Sequence, residues 1–235
     1  MRVRSAAFWV YGERLLALGD APHPAQAHAD LRAHLEAEGA GRATVSEWER
    51  LLRHHRAITG AGTRRIDAAR LIEVFAWFRG AQLGAPLRFA TADPPDRLSV
   101  RLRDAGMPHV FGAITAANHW AFYEPAPSVQ LYVPPPLVGE ARRLLNDPGE
   151  RVRGEVFADA PDRLVVLGRD LRDIEQSCAD QRRGPAYRDQ DIAVASSAPF
   201  PVTSRFLSLL DCRVHPEGAS HAAFLRTQLQ DRGGA

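Results

Sequence analysis

Residues 50–65 read RLLRHHRAITGAGTRR, in which Arg50, Arg53, Arg56, Arg64, Arg65 and the adjacent His54 and His55 surround a Gly-Ala-Gly turn. A guanidinium keeps its charge at any working pH and presents its donors in a fixed fork that matches phosphate. The chemistry open to this stretch is therefore a grip on an anionic backbone. The competing reading is a solvated helix face, because Glu47 and Glu49 stand three and four residues before Arg50 and Arg53 and pair with them along one helix. All 30 basic residues are arginine and Ala, Gly and Pro are abundant, as under a GC-rich coding bias, and such a bias clusters arginines by chance. A net charge of +2 does not by itself demand an anionic partner.

Other chemistry finds little support. His23, His28 and His34 are not three or four apart, and neighbouring His54 and His55 point in different directions. His215 and His221 have only Glu217 near them, so no metal site is expected. Cys178 and Cys212 lie far apart with no CxxC, and read as two reduced thiols. No phosphate-binding loop, dinucleotide fingerprint or nucleophile elbow is present, and no cofactor is expected. No apolar run is long enough for a membrane span. Glu13 and Arg14 interrupt the apolar patch near the start, so no secretory signal is expected and the chain reads as cytoplasmic.

Positioning these arginines falls to the elements on either side of them. Residues 5–18 fit either a short helix or a strand. Pro24 and Gly39 bracket a helix carrying Leu31 and Leu35. Thr44 with Glu47, or Ser46 with Glu49, offers a capping box for the next helix. In that helix Val45, Trp48, Leu51, Leu52 and His55 share one face, leaving Ser46, Glu47, Glu49, Arg50, Arg53, His54 and Arg56 on the other. AITGAGTRRID reads as strand, glycine turn and strand, and Asp67 caps a helix with a Leu71, Ile72, Phe75 and Phe78 stripe. This order is that of a winged helix-turn-helix, or of some other small helical N-terminal module. Residues 84–103, with three prolines, read as a linker or domain entry. Beyond them come a helix reached through Gly112, the strand SVQLYV, a helix ended at Pro148, the strands RVRGEVFA and DRLVVLG, and two helices around Pro216-Glu217-Gly218. The class is α+β.

From RIDAARLIEVFAWFRG through VFGAITAANHWAFYEPAPSVQLYVPP to PFPVTSRFLSLLDCRVHPEGASHAAFLRTQL, the chain resembles the prokaryotic AbiEi-type antitoxin and transcriptional regulator family. The resemblance implies a winged helix over residues 1–83 joined to a nucleotidyltransferase-like α/β domain over 84–235. An active nucleotidyltransferase holds metal ions with carboxylates. Here the expected positions near Ser128 and Gln130 are neutral, and Ala113 follows Gly112 where the family pattern has serine. Hard Mg²⁺ needs carboxylate oxygens, so a catalytically silent scaffold is expected, with Asp159, Asp162, Asp170 and Asp173 as solvated charge.

The resulting expectation is a DNA-binding transcriptional regulator, antitoxin-like and autorepressing, and not an enzyme. Thr44, Ser46, Glu47 and Arg50 would lie at the groove end of a recognition helix, Arg53 and Arg56 along the backbone, and Arg64 and Arg65 on the wing. Its partners would be double-stranded DNA, a toxin or other protein, and a second copy of itself, with no membrane. Two alternatives remain open at this point. One is a protein-interaction module using Trp120, Phe122 and Tyr123; the other is a nucleotidyltransferase with an atypical metal site.

Overall fold

The segment left open between helix and strand is helical: α1 spans Ala6–Leu18. In the computed structural model, which describes residues 6–18, 23–37, 40–60, 63–159 and 200–231, it precedes a short strand β1 (His23–Pro24) and helix α2 (Ala25–Ala37). Helix α3 spans Arg42–His54 and buries Val45, Trp48 and Leu52. The predicted capping box does not form. Gly41 is the N-cap, in extended backbone without a side-chain cap, and its carbonyl accepts the N–H groups of Thr44 and Val45. Thr44 thus lies inside the first turn, while the Ser46 hydroxyl donates back to the Arg42 carbonyl at 3.0 Å. His55, expected on the apolar face, is exposed at the C-cap, where the helix has already ended.

The end of α3 is closed by the Ala57 N–H on the Leu52 carbonyl at 2.9 Å, with Arg56 at φ 59°. This is the left-handed position that glycine ordinarily takes at a helix end. The predicted hairpin follows as β2 (Ile58–Thr59) and β3 (Thr63–Ile66), antiparallel with Ile58 opposite Ile66. Gly60 turns it at φ 83°; Ala61 and Gly62 lie outside the described residues. β1 pairs with the free edge of β3, giving the order β1-β3-β2. Asp67 caps α4 (Ala68–Gln82) as expected, accepting the Arg70 N–H at 2.9 Å.

Residues 84–103 are not a linker. They form strand β4 (Leu87–Ala90) and most of helix α5 (Pro95–Asp104); of the three prolines, Pro86 precedes β4 while Pro94 and Pro95 sit at the helix start, where a missing N–H costs nothing. The chain continues through β5 (Val110–Phe111), α6 (Ala113–Trp120), β6 (Val129–Val133), α7 (Val138–Leu145) and β7 (Val152–Ala158). α8 (Arg205–Val214) and α9 (Ala219–Asp231) follow. DRLVVLG, Cys178, Asp162, Asp170 and Asp173 lie outside the described residues. The second sheet has the order β4-β7-β6-β5, with β6 and β7 parallel and both outer pairs antiparallel. Strand alternation divides its two faces. Val129, Leu131, Val133 and Val156 join Leu98, Leu102, Ala141 and Leu145 of α5 and α7 in one apolar cluster. Tyr132 and Phe157 point the other way, into a cluster with Ile114, Phe206 and Leu210.

That second cluster continues without a break into Phe75, Phe8 and Trp48 of the first eighty residues. Phe8 stacks on Phe75 at 4.5 Å between ring centroids, and Phe75 meets Phe206 edge-on at 5.4 Å. Gly12 lets α1 into this contact: a Cβ there would stand 2.6 Å from the Phe75 ring and 2.7 Å from that of Phe206. No described helix is long and apolar enough to cross a membrane.

Next to Gly12, Glu13 reaches the start of α8, where it accepts the Phe206 N–H and the Ser204 hydroxyl. Ser204 in turn caps α8 by accepting the Leu207 N–H. Burial pushes the Glu13 carboxyl up to about 7 against these donors and against Arg14 and Arg205. The folded state therefore holds this proton over a range where the unfolded chain, at an ordinary carboxylate value, has lost it. The stability it contributes is complete below the unfolded pKa and is lost as pH rises to about 7. Partial exposure screens the effect, leaving roughly 1–3 kcal/mol. Urea unfolding should show wild type losing stability relative to Glu13→Gln between pH 5 and pH 8. Parallel pH profiles for the two proteins would show that the carboxyl is not perturbed.

Candidate nucleic-acid interface

The helical spacing of α3 leaves one side uncovered, and Ala43, Ser46, Glu47, Arg50 and His54 are exposed along it. Thr44 is half-buried. Ser46 is not free: Arg32 of α2 donates to its hydroxyl and, at 3.2 Å, to the Arg42 carbonyl, while also pairing with Glu36 at 3.0 Å. Arg32 thus ties α2 across the first turn of α3. The sequence offers the Arg32–Glu36 spacing as a signal, but nothing that points to Ser46.

The five arginines divide into two groups. Glu49 accepts Arg53 at 3.1 Å and Arg64 at 2.8 Å on the same carboxylate oxygen. Arg53 also donates to the Gly60 carbonyl at 2.7 Å, so the helix, the turn and β3 are fastened together. Arg50, Arg56 and Arg65 are exposed, and none of them makes a side-chain hydrogen bond or ion pair among the described residues. Glu49 is half-buried between two guanidiniums and is neutralised where it stands; Glu47 remains on the exposed side.

The positions expected of a catalytic site lie at the start of α6 and along β6. Gly112 is the N-cap of α6, and Ala113 has φ 45°. The Gly112 N–H donates to the Gln130 carbonyl at 3.1 Å, and a Cβ at Gly112 would come within 2.1 Å of the Tyr132 ring. Gln130 is fully buried and donates to Ser128, which donates to Glu217 at 3.4 Å. The carboxylate next to Gln130 in register is Glu155 of β7. His215 donates to it at 2.8 Å from Nε2, while His215 Nδ1 accepts the Glu217 N–H at 3.2 Å, which fixes that tautomer. With Arg88 also beside it, Glu155 is held below the usual carboxylate range, chiefly by the His215 bond. No group of three or more His, Cys, Asp or Glu stands together as a metal site among the described residues.

Asp159 corrects an expectation. It is not solvated charge: it pairs at 2.6 Å with the fully buried Arg79 of α4, whose Nε donates at 2.6 Å to the buried Asp211 of α8. Arg79 also lies over the Tyr132 ring, 4.9 Å from its centroid. Of the three aromatics weighed as a contact patch, Trp120 is half-buried and donates to the Thr203 carbonyl at 2.8 Å. Phe122 and Tyr123 are exposed, at 68% and 45%, with Tyr123 against Phe224 and His221 of α9. No family model matches the chain, and neither a curated protein nor a solved structure matches it.

Proposed function

We propose that this chain is a DNA-binding transcriptional regulator whose first eighty residues are a winged helix, with α3 as recognition helix and the β2–β3 hairpin as wing. The observation that carries the reading is topological. The order α1-β1-α2-α3-β2-β3, with β1 closing on β3, supports a helix presented beside a hairpin, as groove readers require. Of the five arginines in residues 50–65, Arg50, Arg56 and Arg65 are those left for phosphate. Arg56 adds a second argument: it occupies a left-handed position where glycine would avoid a cost of about 1–2 kcal/mol. Strain retained at a side chain of this charge favours a use for the charge.

The mixed sheet with Gly112 leading into α6 favours the nucleotidyltransferase-like reading of the second half, and with it the relation to AbiEi-type antitoxins. Neutral Ser128 and Gln130, and a Glu155 already taken by His215, favour a scaffold without nucleotide transfer. Exposed Phe122 and Tyr123 favour a second surface, for a protein partner such as a toxin.

The test is fluorescence anisotropy of the purified protein on duplex DNA from its own upstream region, titrated with salt. Three phosphate contacts at about 0.9 each give a log–log slope of about −2.7. Absence of binding at low salt to this and to unrelated genomic duplex would overturn the reading.

A further inference from the structure

We infer that Glu49 is a positioning residue for the DNA interface, a latch that fixes the wing against the recognition helix and withholds Arg53 and Arg64 from phosphate. The inference rests on the DNA-binding reading for its functional half; its structural half stands on the contacts alone. One carboxylate oxygen takes Arg53 from one turn along α3 and Arg64 from β3, at 3.1 and 2.8 Å. Arg53 passes the restraint on to the turn through the Gly60 carbonyl at 2.7 Å. Side-chain exposure is 15% for Glu49 and 21% for Arg64, so the pair is sheltered from the screening that weakens ion pairs in open water.

Besides these contacts the hairpin is held by the pairing of β3 with the two residues of β1. β2 contributes two residues and β3 four, and of these six only Ile58 and Ile66 are buried. A short ribbon is marginal without packing, and β1 adds only two residues to its edge, so the Glu49 contacts supply the side-chain restraint on its inclination to α3. An acid on a DNA-facing element reads as repulsive, but here it lies between two cations and sets which arginines remain outside. Fixing the wing is worth most for sequence discrimination, because groove contacts specify where phosphate contacts only position.

The experiment compares wild type, Glu49→Gln, Arg64→Ala and Arg65→Ala. Salt-titrated anisotropy is run on upstream and unrelated duplex, together with hydrogen exchange of the β2 and β3 amides without DNA. The latch predicts that Arg65→Ala flattens the salt slope by about 0.9 while Arg64→Ala leaves it unchanged. Glu49→Gln frees both arginines: its slope steepens by up to about 1.8, and its preference for upstream over unrelated DNA falls at least about tenfold. Without DNA, Glu49→Gln speeds exchange in the hairpin about tenfold. Flattening by Arg64→Ala equal to that by Arg65→Ala would overturn the inference, because Arg64 would then be a phosphate contact. So would unchanged hairpin exchange in Glu49→Gln. If wild type binds no DNA, the regulator reading fails and the functional half fails with it; the exchange result still decides whether the latch exists.

Discussion

Arg79→Ala is expected to destabilise the fold by about 3–5 kcal/mol, a large share of the 5–15 kcal/mol that holds an ordinary domain together. Arg79 is fully buried, pairs with Asp211 and Asp159 at 2.6 Å each, and stays charged because Asp211 beside it raises its pKa. Truncation strands the buried Asp211 carboxylate, whose neighbours along α8, Phe206 and Leu210, belong to the apolar cluster. Removing one partner costs more than the pair contributes net, because the remaining charge has lost both its water and its counter-ion. Replacing both members with apolar residues of similar size, Arg79→Met with Asp211→Leu, should recover most of the loss; Asp159 is partly exposed and can hydrate. Urea unfolding of the single and double variants closes the cycle. A loss under about 1 kcal/mol for Arg79→Ala would mean that water reaches this pair.

What was legible in the sequence follows the distance over which each element is determined. α4 was readable because its cap and stripe lie within its own residues, from Asp67 to Phe78. The hairpin was readable because Gly60 stands where the backbone must enter positive φ. The start of α3 was not, because the Ser46 hydroxyl that a capping box needs is engaged by Arg32, fourteen residues away, and the Gly41 carbonyl opens the helix instead. β1 was invisible because two residues carry no periodicity; only pairing with β3 makes them a strand. β4 and α5 were hidden by three prolines that read as linker, although two of them, Pro94 and Pro95, serve as a helix start. β6 was readable as a strand; that helices cover both of its faces, so that both sets of side chains are buried, was not. The candidate site divides in the same way. Which arginines exist was plain; which of them are already taken depends on Glu49 reaching a residue fifteen positions later, and on Arg79 reaching one 132 positions later.

The variant carrying Arg50→Ala, Arg56→Gly and Arg65→Ala is expected to lose about a thousandfold in affinity for upstream duplex at moderate salt while its fold is unharmed. Each lost charge-assisted contact to phosphate is worth about 1.5 kcal/mol, and three together approach that factor. The salt slope should fall from about −2.7 toward zero, since no counterions remain to be displaced by these side chains. All three residues are exposed, and surface changes of this kind usually fall within about 0.5 kcal/mol. Glycine is chosen at 56 because φ there is 59°. It relieves a left-handed side chain and should stabilise the protein by up to about 1 kcal/mol, despite the freedom it adds to the unfolded chain. Affinity and stability are therefore expected to move in opposite directions, which separates a contact residue from a residue that merely holds the fold. Anisotropy and thermal unfolding on the same preparation measure both. Affinity retained to within about threefold would remove these three arginines from the interface, whatever the melting curve did. Affinity lost together with a lower melting temperature would assign them to the fold and leave DNA contact without its strongest support.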